Sequence, residues 1–214
     1  MTRVLLTGFE PFDGATANAS WEAVRLVADA PPPGLAVTAV RLSCVFGLAA
    51  EQLRAAIAEL DPALVLCVGV ADGRPDLTVE RIAVNLDDAR IPDNAGRQPI
   101  DRPIEPTGPA AYFTTLPVKA CVAAVRAAGL PASVSHTAGT FVCNHVFYRL
   151  MHLIATERPA VRGGFVHLPA LPEQVLAAAR PCLPAATAAS GLRALLTAAT
   201  FHRADLPLVG GALH

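Results

Sequence analysis

Cys143 has the clearest chemical placement in the chain. It stands in Ala138-Gly139-Thr140-Phe141-Val142-Cys143-Asn144-His145, at the head of an apolar helical run. Thr140 can cap that run, which sets Cys143 in the first helical turn. Unpaired N–H groups and the helix dipole favour a thiolate there, and the same N–H groups can stabilise an oxyanion. Cys44, Cys67 and Cys121 fall in apolar runs or helix interiors and read as small buried hydrophobes. With Cys182 the count is five, odd and without a CxxC pair, as expected of free thiols in a reducing cytosol.

A nucleophilic cysteine needs a base. His145 lies two positions on, about 200° round the helix, and faces away. His136 closes a short strand and can approach. His167, in Gly164-Phe165-Val166-His167-Leu168-Pro169, is polar where the pattern asks for Val or Ile. It is either a catalytic imidazole or a satisfied core histidine. Glu80 precedes Arg81 in a strand and is either a surface charge or the carboxylate that orients the histidine. These residues reach a candidate cysteine hydrolase with Cys/His/acid logic, and no further. Other chemistries lack their residues. There is no HExxH, CxxC pair or EF-hand loop for a metal, and His145 and His152 read as packing residues. GxGxxG, GxxxxGK[ST] and GxSxG are absent as well.

The composition frames the elements that must position these groups. In 214 residues, 17 basic and 18 acidic side chains leave a net charge of −1. Without a basic surplus, phosphate neutralisation and nucleic-acid binding are not expected. An apolar content of 53% excludes a disordered chain. The longest apolar runs, such as Ala63–Val70 and Leu183–Ala189, fall short of the about 18–20 residues of a membrane span. Glu10 and Asp13 interrupt any leader-like segment, so a cytoplasmic location is expected.

Strands are expected at Arg3–Gly8, Leu35–Leu42, Ala63–Gly69, Thr78–Asp87, Ala132–His136 and Gly164–Leu168. Helices are expected from an Asn18 or Ser20 cap through Trp21–Val27, then at Leu48–Leu60, Val118–Ala128, Phe141–Thr156 and the Ala/Leu-rich Glu173–His202. Asp88–Pro109 has no apolar period and reads as a functional or mobile loop, and Leu206–His214 as a loose tail. The alternation gives a single α/β domain over 1–214 with a mostly parallel central sheet. Ligands bind beyond the carboxyl ends of such strands. The loops Phe9–Gly14 and Val70–Gly73, the residues after Asp87 and those around His167–Pro169 are therefore expected to converge on one rim.

The sequence resembles the pyroglutamyl peptidase I family (pyrrolidone-carboxylate peptidases), cysteine exopeptidases that remove an N-terminal pyroglutamate. The matching segments are Thr7–Gly14 (TGFEPFDG), Ala19–Val24 (ASWEAV), Glu80–Asn94 (ERIAVNLDDARIPDN), Ala138–Tyr148 (AGTFVCNHVFY) and Gly164–Gln174 (GFVHLPALPEQ). They occur in the family's order and spacing over about the first 175 residues. The resemblance implies Cys143 as nucleophile, His167 as general base and then acid, and Glu80 as the group orienting His167. It implies Arg90 beside the nucleophile, supporting an oxyanion hole. It places Phe9, Phe12, Cys44, Val70, Ile91, Phe141 and Val142 at the substrate. It further implies a three-layer α/β/α sandwich, small pyroglutamyl peptides as substrates, no metal or cofactor, and a homodimer or homotetramer. The chain departs from the family at Val70 (usually Gln), Asp72 (Gly), His136 (Asn) and Ala170 (aromatic). Val70 and Asp72 open an alternative, a same-fold cysteine amidase for another small cyclic or blocked acyl group. A non-catalytic binding protein is a further one.

Overall fold

The computed structural model describes residues 1–177 and 179–211. Its elements run β1 (Thr2–Phe9), α1 (Ala19–Asp29), β2 (Leu35–Leu42), α2 (Leu48–Leu60), β3 (Leu64–Val70), β4 (Leu77–Glu80), β5 (Ile82–Val84), β6 (Ala111–Phe113), α3 (Val118–Ala127), β7 (Ala132–Ser135), α4 (Val142–Thr156), β8 (Arg162–Leu168), a short 3₁₀ turn (Pro172–Gln174) and α5 (Ala185–Phe201). Six strands form the central sheet in the order β2-β1-β3-β8-β4-β7. Four of them, β2, β1, β3 and β8, run parallel. The β4–β7 pair is parallel within itself but antiparallel to β8. The sheet is thus mixed and mostly parallel, in an α/β/α arrangement.

Both faces of the sheet are covered, so the inner strand β3 is a continuous apolar run, whereas the edge strands β2 and β7 carry polar residues. Along β3, Leu64, Leu66 and Val68 meet one apolar cluster with α1, α3 and α5. Val65 and Cys67 meet the other, with α2 and α4. α4 is buried almost all round, including Val146, Phe147, Tyr148 and Leu150. Close approach is set by glycine. A Cβ on Gly8 would lie 2.7 Å from the Trp21 backbone nitrogen, so only a bare backbone lets α1 start against β1. Asn18 caps α1, accepting from the Ser20 N–H at 3.0 Å, and the Ser20 hydroxyl accepts the Phe9 N–H at 3.0 Å.

Several expected boundaries move. The Thr78–Asp87 run is two strands, because Arg81 turns the chain out of the central sheet and β5 pairs with β6 in a separate two-stranded sheet. The expected Glu173–His202 helix is regular only from Ala185 to Phe201, since Pro181 and Pro184 interrupt it. Thr140 does not cap α4. Phe141 occupies the cap position without a side-chain bond, and the Thr140 hydroxyl donates to the Asp88 carbonyl at 2.7 Å.

The Asp88–Pro109 loop is irregular but heavily anchored. Asp93 accepts the N–H groups of Phe46, Ala95 and Arg97, and Asn94 donates to Glu10. The tail has no regular structure between Leu206 and Gly211, although Asp205 accepts the N–H groups of Lys119 and Ala120 and so caps α3. Residues 212–214 lie outside the described residues. Among the described residues no helix is long and apolar enough to cross a membrane.

Gly8→Ala forces a methyl into the α1 backbone, which cannot move as a side-chain tip would. Its urea midpoint is expected to fall by an amount worth about 2 kcal/mol, with the denaturant slope unchanged.

Candidate active site

Strand register places the acid and the imidazole. Thr78 lies opposite His167 and Glu80 opposite Phe165 across the antiparallel β4–β8 pair, so Glu80 and His167 are diagonal neighbours on one face. That separation is bridged by a long side chain. The His167 Nδ1 is 2.7 Å from the Glu80 Oε1, with both residues buried. Glu80 is therefore no surface charge. With Nδ1 engaged, Nε2 is the imidazole nitrogen left for chemistry.

On the other side of β8, Gly69 lies opposite His167 in the parallel β3–β8 register. A Cβ there would come within 2.8 Å of the Cys143 Sγ and 2.9 Å of the Phe165 ring. The thiol occupies the space that a side chain on β3 would take, next to His167 on the adjoining strand. α4 delivers it: Cys143 is the second residue of the helix, over an end with no side-chain cap. Asn144 fixes that turn. Its Oδ1 accepts the Val84 N–H at 3.0 Å, and its Nδ2 donates to the carbonyls of Val84 and Leu86 at 2.9 and 3.0 Å.

Cys143 and His167 open into a cavity of about 210 Å³. Phe9, Phe12, Cys44, Val70 and Phe141 line it, together with Asn18, Ala71, Arg74, Ala138 and Gly139. That is below the about 300 Å³ at which pockets for drug-sized ligands begin, and it suits a small acyl group. Phe12 and Phe141, both lining it, have ring centroids 6.3 Å apart with planes tilted by 38°, and Phe46 braces Phe141 edge-on at 5.3 Å. Of the four loops expected at the rim, three contribute lining residues. The residues after Asp87 instead brace the wall from behind, Asp88 exchanging hydrogen bonds with Thr140.

Three expected residues do not line this cavity. Arg90 is exposed, next to the buried Ala89. Ile91 is half-buried, and Val142, the first residue of α4, is buried in the core. His136 is exposed at the end of β7. His145 and His152 are structural: His145 Nδ1 is 2.8 Å from Asp87 Oδ2 while its Nε2 accepts the Gly47 N–H, and His152 meets the Tyr112 hydroxyl at 2.9 Å. Asp72 pairs with Arg180 at the surface. Among the described residues no group of three or more His, Cys, Asp or Glu side chains could hold a metal ion.

Sequence reasoning passed over Arg74 and Gly69. Arg74 Nη1 donates to Glu80 Oε1 at 2.6 Å and to the Thr78 hydroxyl at 2.7 Å, and its Nη2 donates to the Thr137 carbonyl at 2.9 Å. A glycine closing an apolar strand is the signal that could have exposed Gly69.

Burial drives the electrostatics. It pushes the Cys143 thiol up, and the neighbouring Cys44, Glu80 and Cys67 add to the rise while Arg74 opposes it. Burial also pushes up Cys44 and Cys67, each to about 12. The apolar setting thus outweighs the thiolate preference expected of a first-turn cysteine. Burial raises Glu80 too, but the His167 contact, Ser135 and the Arg74 guanidinium outweigh it and hold the carboxyl below its ordinary value.

A neutral thiol beside an imidazole whose far nitrogen is fixed by a carboxylate is the constellation of a cysteine hydrolase that generates its thiolate during attack. The comparisons with known proteins narrow that class. The family model for pyroglutamyl peptidase matches residues 2–202. A pyrrolidone-carboxylate peptidase of Streptomyces coelicolor is 64% identical over 216 residues, covering 100% of both chains. A pyroglutamyl peptidase I from Bacillus amyloliquefaciens superposes with a TM-score of 0.95 at 44% identity, over 97% of this chain and 99% of that one. A pyrrolidone carboxyl peptidase from Thermococcus litoralis gives 0.93 at 34% identity, over 98% and 100%. The chain belongs to the pyroglutamyl peptidase family of cysteine peptidases.

Gly69→Ala should displace the Cys143 thiol, so hydrolytic turnover is expected to fall at least about tenfold while the fold, read by circular dichroism, is kept. Glu80 titrates below its ordinary value when folded and near about 4.3 when unfolded. Its stabilisation is therefore complete above the unfolded value and lost as pH falls through the folded one. Below about pH 4.5 wild type should lose urea stability more steeply than Glu80→Gln, and parallel curves would contradict the pairing.

Proposed function

We propose that the protein is a cysteine peptidase releasing N-terminal pyroglutamate (5-oxoproline) from peptides, with Cys143, His167 and Glu80 as its catalytic set. The observation that carries this reading is the Cys143 thiol seated over Gly69 beside the His167–Glu80 pair, at the floor of a small, aromatic-walled cavity. Pyroglutamate is a flat, uncharged lactam without a free amine, so its pocket needs no carboxylate to meet an N-terminus. A ring held between two aromatic faces needs about 7 Å, twice a van der Waals contact. Phe12 and Phe141, with ring centroids 6.3 Å apart and planes tilted by 38°, reach that by moving apart and turning toward parallel.

His167 takes the thiol proton at Nε2 as sulfur attacks the acyl carbon. The oxyanion that forms is met by N–H groups of the uncapped first turn of α4, a role we assign to them in place of Arg90, which does not line the cavity. The imidazolium then protonates the leaving amine, the C–N bond breaks, and a thioester to Cys143 remains. Water, losing its proton to the same imidazole, hydrolyses the thioester and restores the thiol. Glu80 stays ionised throughout and stabilises each imidazolium.

The reading includes one domain carrying this activity, free peptides as substrates, and a cytoplasmic homodimer or homotetramer. Five unpaired cysteines support a reducing compartment.

Release of a fluorogenic amine from a pyroglutamyl amide should be readily measured for wild type and reduced about a thousandfold or more in Cys143→Ala. Val70 gives the cavity an apolar wall, so prolyl and acetyl amides belong in the same assay. Preference for either over the pyroglutamyl amide would replace the substrate assignment.

A further inference from the structure

Arg74 has no part in the catalytic set, yet it is the most connected side chain around it. It leaves the loop after β3, lines the cavity and returns to the sheet, where Nη1 reaches Glu80, Thr78 and Ser135 and Nη2 reaches the Thr137 carbonyl. Its ion pair with Glu80 is 2.6 Å long, against a carboxylate side chain with no exposed surface. Arg74 and His167 converge on the same oxygen, Oε1, while the buried Oε2 has no hydrogen-bond partner. Glu80 thus carries a full negative charge inside the sheet with half of its acceptor capacity unused.

We propose that Arg74 is a positioning residue, the fixed cation that keeps Glu80 ionised and aimed through Oε1 at His167. This rests on the pyroglutamyl-peptidase reading for its assay. Without the guanidinium, the charged form of Glu80 faces only His167 from β8, the Ser135 hydroxyl from β7 and the Cys143 thiol from α4. An isolated buried carboxylate takes up a proton instead, and a protonated Glu80 no longer supports the imidazolium on which both half-reactions depend. Removing a neighbouring cation moves the protonation of the Glu80 carboxyl to higher pH. A role confined to holding the loop in place predicts no such movement.

The test compares wild type, Arg74→Gln and Arg74→Lys. The acid limb of kcat/KM for the pyroglutamyl amide is expected to move up by about one pH unit or more in Arg74→Gln, and activity on that limb to fall about tenfold per unit. Arg74→Lys restores the charge without the fork and should return the limb toward wild type while kcat stays reduced. A second readout needs no turnover. Carboxyl carbon NMR of Glu-labelled protein, with Glu80→Gln to assign the signal, should show the Glu80 titration shifted upward in Arg74→Gln. An unmoved Glu80 titration, a rise in KM alone, or equal damage and equal loss of melting temperature in both variants would each overturn the proposal. Inactive wild type with a shifted Glu80 titration would overturn the substrate reading and leave the role of Arg74 standing.

Discussion

A fully buried carboxylate that must remain charged is the constraint around which this molecule is arranged. Removing one partner of such a pair typically costs about 3–5 kcal/mol, because the survivor is left unpaired in a poor solvent. Glu80 avoids that cost through neighbours drawn from across the chain: His167 from β8, Arg74 from the loop after β3, and Ser135 from the edge strand β7. The reversed direction of the β4–β7 pair is part of the solution. It brings Glu80 diagonal to His167 on the face that α4 covers, where the helix carrying Cys143 begins.

The second constraint is steric. α4 is mostly buried and sinks its first turn onto the sheet, and Gly69 is what allows the Cys143 sulfur to reach it. Depth has a chemical cost, since the thiol is pushed up rather than poised as a thiolate. In the proposed mechanism, an imidazole held by a charged partner compensates by taking the proton as the bond forms. The wall is built the same way, from layered supports: Asp93 holds the Phe46 N–H, Phe46 braces Phe141, and Phe141 faces the ligand space.

Much of the frame can be read from the sequence where periodicity and punctuation agree. The Leu35–Leu42 strand and the Leu48–Leu60 helix coincide with β2 and α2 residue for residue. Periodicity fails at the Arg81 turn, because one residue leaving the sheet does not break an alternating pattern. It fails again at Pro181 and Pro184, where an Ala/Leu-rich composition outweighed two clear breakers. β6, three residues long, is below what a pattern can resolve. Cys143, His167 and Glu80 stand out as polar or reactive residues in apolar settings, although choosing among the histidines took the family resemblance. Arg74 shows no sequence signal. An arginine in a Gly- and Asp-containing loop looks like a solvated charge, and only the return of that loop over Glu80 gives it another meaning.

The order in which the sheet's strands arrive has its own consequence. β3 and β4 are separated by only a short loop, yet β8 lies between them, and the His167–Glu80 contact spans 87 residues. During vectorial synthesis, β3 and β4 must wait with open inner edges until residues 162–168 leave the ribosome and fill the gap. Until then there is no imidazole beside the thiol and none for the acid to orient. Hydrolytic competence therefore cannot precede closure of the sheet, and a chain interrupted before β8 is a peptidase without a centre.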